Sequence, residues 1–95
     1  MKVVWSPEAR QDLREIYSYL AAENPYAART LQQRLKQAVQ LLRENPHIGR
    51  PGRVADTREL VISGTSYIVP YQIKEKRLEL LRVYHMARKW PERFH

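Results

Sequence analysis

The side chains of this 95-residue sequence best suited to chemistry on an anion are basic ones, set among a few aromatic rings. Arg50 and Arg53 flank a Pro-Gly turn, and Arg58 opens a run rich in β-branched residues. The stretch RVYHMARKW then crowds Arg82, Tyr84, His85, Arg88, Lys89 and Trp90 into nine consecutive positions, 82–90. Guanidinium groups grip phosphate bidentately and stabilise charge developing on it. A histidine has the one side chain whose ordinary pKa suits proton transfer near neutrality. Tyrosine and tryptophan rings stack on bases. A metal-free ribonuclease needs that kit: a group to take the 2′-hydroxyl proton, cations for the phosphorane charge and a donor for the leaving oxygen. On this reading Arg58, Arg82 and His85 are the catalytic candidates. Arg50, Arg53, Tyr84, Arg88, Lys89 and Trp90 are candidates for gripping nucleic acid or another target. The structural alternative pairs Arg58 and Arg82 with Glu59 and Glu79, and makes His85 a capped core histidine.

Other chemistries lack their residues. There is no cysteine, hence no thiol nucleophile, disulfide or thiolate metal site. His47, His85 and His95 do not have metal-ligand spacing. Asp12, Glu15 and Glu8 interleave with Arg10 and Arg14, the pattern of a solvated helix face. The GRPG segment at 49–52 does not match a phosphate-binding loop. No serine is set up with a base and an orienting partner. Neither a metal nor a cofactor is expected.

Charge narrows the partners. The formal net charge is +7, and it is uneven. Residues 1–45 carry seven Lys/Arg against five Asp/Glu, whereas residues 46–95 carry ten against five. A basic second half calls for an anionic partner, whether nucleic acid, a ribosome or an acidic protein segment. The opening MKVVWSPEAR has no apolar run of signal-peptide length, and nothing approaches the roughly 20 apolar residues of a membrane span. The expectation is a cytoplasmic protein with no membrane partner.

These residues need a scaffold, and the length suits one domain spanning 1–95. Residues 2–5 read as a short strand. Ser6-Pro7 and Asn24-Pro25 each place a capping side chain before a proline, the signature of a helix start. The apolar stripe Ala9, Leu13, Ile16, Tyr17, Leu20 predicts one helix, and Ala28, Leu31, Leu35, Ala38, Leu42 a second. Their tight junction predicts an antiparallel hairpin. After a Pro/Gly loop, RELVIS, YIVPYQI and LELLRVYH predict three antiparallel strands, with Leu81 and Val83 facing the helices. Pro70, inside the second of these, predicts a bulge or an outward-facing position. The fold class is α+β: β-α-α-β-β-β, an antiparallel helical hairpin packed on a small antiparallel sheet. The far face of such a sheet also carries apolar groups, so either the C-terminal tail or a partner must cover it.

The blocks WSPEARQDLREIYSYL, NPYAARTL, NPHIGRPGR, TRELVISGTSYIVPYQI and LELLRVYHMARKWP resemble, in order and spacing, the RelE/ParE superfamily of toxins from bacterial type II toxin–antitoxin modules. The resemblance covers residues 3–91. It implies the same fold and a cognate antitoxin, acidic and partly disordered, that wraps the toxin. It also implies one of two targets. RelE-like members cut mRNA on the ribosome, whereas ParE-like members poison DNA gyrase and are not nucleases. Arg58 and Arg82 match the two strand arginines of the nuclease type. His85 falls near the histidine or tyrosine that some nucleases use, although ParE-like members carry an Arg-Val-x-His run as well. The lysine-rich stretch of RelE itself is missing, since the matching loop offers Arg50 and Arg53. The expectation leans slightly to the nuclease, with gyrase inhibition as the alternative.

Overall fold

A computed structural model describes residues 1–94. Its elements are β1 (Lys2–Trp5), α1 (Pro7–Glu23), α2 (Pro25–Glu44), β2 (Arg50–Pro51), β3 (Arg58–Val61), β4 (Tyr67–Lys74), β5 (Arg77–Leu80) and β6 (Tyr84–His85). Both helices begin where the caps are. Ser6 Oγ accepts from the Ala9 amide at 2.9 Å, and Asn24 Oδ1 from the Ala27 amide at 3.2 Å. Asn24 also ends α1, donating its backbone N–H to the Leu20 carbonyl. One residue thus closes one helix and opens the next, leaving no length for anything but a hairpin.

The hairpin lies on one face of a sheet of strand order β1-β5-β4-β3-β2, with β6 also paired to β4. The sheet is mixed. β1 runs parallel to β5, with Val3 opposite Leu78, so the expectation of a wholly antiparallel sheet is corrected. The reason is connectivity: β1 and β5 lie at opposite ends of the chain, and only consecutive strands joined by tight turns must run antiparallel. Between the layers Ala9, Leu31, Leu35 and Leu42 meet Leu60, Val69, Tyr71, Leu78, Leu80 and Val83.

The predicted last strand is interrupted. β5 ends at Leu80, residues 81–83 leave the ladder, and β6 resumes at Tyr84 opposite Ile68. Leu80 and Val83 therefore both reach the core, while Leu81 is only half-buried, which corrects the expected pairing of Leu81 with Val83. Pro70 accounts for the place of the break. Its carbonyl accepts from the Leu81 amide at 2.9 Å. In an extended strand the nitrogen of a residue points the same way as its carbonyl, so the missing N–H faces the gap.

Cross-strand pairs fix the faces. Arg58, Tyr71 and Leu80 share the hairpin side, as do Tyr67 and His85. Glu59 with Pro70, and Ile68 with Tyr84, share the far side. There the C-terminal tail supplies cover: Trp90 packs edge-on to Tyr84 with centroids 5.2 Å apart, and Phe94 joins them. The guanidinium of Arg53 lies 3.8 Å above the Trp90 ring, a cation–π contact that ties tail to loop.

Candidate functional site

The three catalytic candidates face three different environments. Arg82 leaves the sheet at the β5–β6 break and meets Asp12 of α1 in a two-point bridge, Nε to Oδ2 at 2.8 Å and Nη2 to Oδ1 at 2.9 Å. The same Oδ2 accepts from the Val83 amide at 2.9 Å. The hydrogen bonds to Asp12 hold the Arg82 pKa above its ordinary value, outweighing the opposing effect of partial burial. Side-chain exposure is 27% for Arg82 and 11% for Asp12. The bridge therefore joins helix to strand in a largely dry setting and fills the fork that would otherwise take a phosphate. Asp12, expected on a solvated helix face, is in fact the inward-facing member of that acidic group. A signal was present in the sequence: Asp12 falls beside Leu13, Ile16 and Ala9 on the buried side of α1.

Arg58 turns the other way. Its Nη1 donates to the carbonyls of His47 at 3.1 Å and Gly49 at 2.8 Å, so it closes the loop after α2. Tyr71 completes that closure: its hydroxyl donates to the Pro46 carbonyl at 2.7 Å and accepts from the Gly49 amide at 2.9 Å. Only glycine fits there, since a Cβ at Gly49 would stand 2.5 Å from the Tyr71 ring. Neither arginine takes the partner the structural alternative proposed. Glu59 instead accepts from Arg50 and Arg53, and Glu79 from Arg77 and Gln72.

His85 sits on the hairpin face, edge-on to Tyr67 with centroids 5.4 Å apart. Its Nδ1 accepts from the Ala87 amide at 3.0 Å, which leaves Nε2 as the free nitrogen. It is exposed, so the capped-core reading does not describe it. Burial, and secondarily Tyr19, raise the Tyr67 pKa, so that phenol stays protonated near neutrality. The pair lines an aromatic cleft with Tyr19 and Tyr26 at the tip of the hairpin, away from Arg82. His95, the third histidine of the sequence, lies outside the described residues.

The binding candidates divide in two. Arg50 and Arg53 converge on Glu59, whose side chain is 2% exposed. Burial by itself raises the pKa of that carboxyl, but hydrogen bonds from the Arg53 side chain and backbone and from Arg50 outweigh it, and the net effect is a lowered value. Tyr84, Arg88, Lys89 and Trp90 instead line a cleft of about 430 Å³ between the start of α1 and the tail. Arg88 stacks over the Tyr84 ring at 4.3 Å. Arg93, the last arginine of the basic tail, joins them, along with Phe94.

A two-layer α+β domain with a helical hairpin on one sheet face and a basic tail on the other is the architecture of a RelE/ParE-superfamily toxin of a type II toxin–antitoxin system. The chain belongs to the ParE toxin family: the family model described as "ParE toxin of type II toxin-antitoxin system, parDE" matches residues 3–90. It is 40% identical over 91 residues to "Putative toxin Y4kP" of Sinorhizobium fredii (strain NBRC 101917 / NGR234), covering 96% of this chain and 94% of that one. It is 36% identical over 87 residues to "Toxin RelE2" of Caulobacter vibrioides (strain ATCC 19089 / CIP 103742 / CB 15), covering 92% and 97% respectively. A solved structure described as "Chromosomal ParDE TA system from P. aeruginosa" superposes with a TM-score of 0.75 at 28% identity, over 90% of this chain and 95% of that one. Among the described residues no helix is long and apolar enough to cross a membrane.

Proposed function

We propose that this toxin acts by binding a protein target, in the manner of the gyrase-poisoning branch of its superfamily, and is neutralised by a cognate acidic antitoxin. The observation that carries this reading is the two-point Arg82–Asp12 bridge. A metal-free nuclease needs converging, unspent cations and a proton-transfer group beside them. Here Arg82 is committed to Asp12, Arg58 to backbone carbonyls and Arg50 with Arg53 to Glu59, and the cleft that gathers Arg88, Lys89 and Arg93 has, among the described residues, no histidine in its lining. His85 lies on the opposite sheet face from Tyr84. Freeing Arg82 for phosphate leaves a largely buried aspartate with only the Val83 amide to meet it, a cost of about 1 kcal/mol. On this ground a protein target is favoured over the RNA cleavage to which the sequence leaned slightly. Arg82 becomes a positioning residue that fixes the β5–β6 break and the root of the tail.

The antitoxin proposal rests on charge and on kinship. A surface with a net charge of +7 favours an acidic segment, which gains ion pairs as it orders. The relative from P. aeruginosa was solved as a ParDE system. Two assays run side by side test the target. Purified gyrase should lose supercoiling activity at protein concentrations near its own, while message on translating ribosomes stays intact. Codon-linked cuts in that message, with supercoiling unaffected, would overturn the reading.

A further inference from the structure

The tail cleft differs from the loop cluster of Arg50 and Arg53 because three of its cations are unspent. Among the described residues, Arg88, Lys89 and Arg93 have no carboxylate within 4.0 Å, whereas Arg50, Arg53, Arg77 and Arg82 all do. The three cations stand around an aromatic wall of Tyr84, Trp90 and Phe94. Trp90 carries a further unused donor: its indole N–H is shut off from solvent and has no partner.

We infer that this cleft is the docking groove for an acidic segment of the protein target, one that places carboxylates on Arg88, Lys89 and Arg93 and an apolar side chain against the Trp90 wall. The inference rests on the protein-target reading above and adds to it the surface and the chemistry of the partner segment. Charge complementarity sets the sign of the occupant, and the aromatic wall calls for apolar side chains between its charges. The neighbouring surface argues against a nucleic-acid backbone. Glu8 lines the cleft itself, and the adjoining groove over α1 is lined by Glu8, Asp12 and Glu15. A duplex carries a charge every ~1.7 Å and cannot leave the cleft in that direction without meeting them. A peptide carries charge only where its side chains put it.

The test uses the full chain and the variant Arg88→Gln/Lys89→Gln/Arg93→Gln. All three positions are exposed, so the fold should survive, and a thermal melt within a few degrees of the parent checks that. The probe is a fluorescein-labelled dodecapeptide of alternating Glu and Phe, with a Lys–Phe dodecapeptide and single-stranded DNA of equal length as comparators. Anisotropy should show the Glu–Phe peptide binding the parent, at least about tenfold more weakly the variant, and more weakly again at high salt. In parallel the variant should need about tenfold more protein than the parent to inhibit gyrase. Equal peptide affinity for parent and variant overturns the groove, as does tighter binding of DNA than of peptide. Inhibition of gyrase by the variant at parental concentrations also overturns it while leaving the protein-target reading intact. A parent that binds the peptide but leaves supercoiling untouched overturns the target reading and leaves the groove as a peptide site.

Discussion

Arg50 and Arg53 converge on a buried glutamate, whereas Arg88, Lys89 and Arg93 stand around an open cleft with, among the described residues, no carboxylate in ion-pair range. Both groups are basic, and Arg53 of the first lies over the same Trp90 ring that walls the second. The difference is one carboxylate. Where Glu59 is present the cations become structure, fixing the loop before β3. Where no acid comes within pairing distance, they remain a surface able to bind. Arg82 belongs with the first group, although its place in a basic stretch suggested the second.

The contrast can be broken from the structural side first. Glu59→Ala removes a buried acceptor that holds the Arg53 amide and both guanidinium groups. It should destabilise the fold by about 3 kcal/mol, read by urea denaturation. Asp12→Ala should cost about 2 kcal/mol, because it strands the Val83 amide as well as Arg82. Arg82→Ala should cost about half that, since Val83 keeps its acceptor. A larger loss for Arg82→Ala than for Asp12→Ala would mean that the arginine has another role in the fold.

Acid sharpens the same distinction. The Glu59 pKa is lower in the folded chain than its ordinary value of 4.5. Its stabilising contribution is therefore complete above that ordinary value and is lost as pH falls through the lower folded one. Stability of the parent should fall below about pH 4.5 more steeply than that of Glu59→Gln. Parallel curves would show that Glu59 is not held ionised by its arginines.

A smaller effect concerns the hairpin that delivers β5. Glu75 and Lys76 both adopt left-handed backbone, φ 52° and 63°, the conformation that Asn-Gly prefers in a two-residue turn. Glu75→Asn/Lys76→Gly should raise stability by about 1 kcal/mol, and no gain would argue against the turn.

Much of the fold was legible in the sequence. Ser6-Pro7 and Asn24-Pro25 mark helix starts because a cap and a fixed φ act locally. The stripe from Leu31 to Leu42 reports a buried face by periodicity. Pro70 announced a disturbance, though not that it would split the last strand, since that depends on the neighbouring chain its nitrogen faces. The candidate site was legible as a set of residue types and not as an arrangement. Arg82 and Asp12 are 70 positions apart, and nothing local says that they meet. Likewise, whether a strand histidine faces helices or tail depends on register, which in β6 is set by a three-residue departure from the ladder.

Removing the Arg82–Asp12 pair as a unit tests the central claim most directly. The variant Asp12→Asn/Arg82→Gln keeps an acceptor for the Val83 amide and deletes both charges. Titrated against purified gyrase, and shown by its melt to be folded, it should inhibit supercoiling within about twofold of the parent, as expected of a bridge that is structure and not chemistry. A folded variant that has lost inhibition would contradict the account and return Arg82 to the active surface.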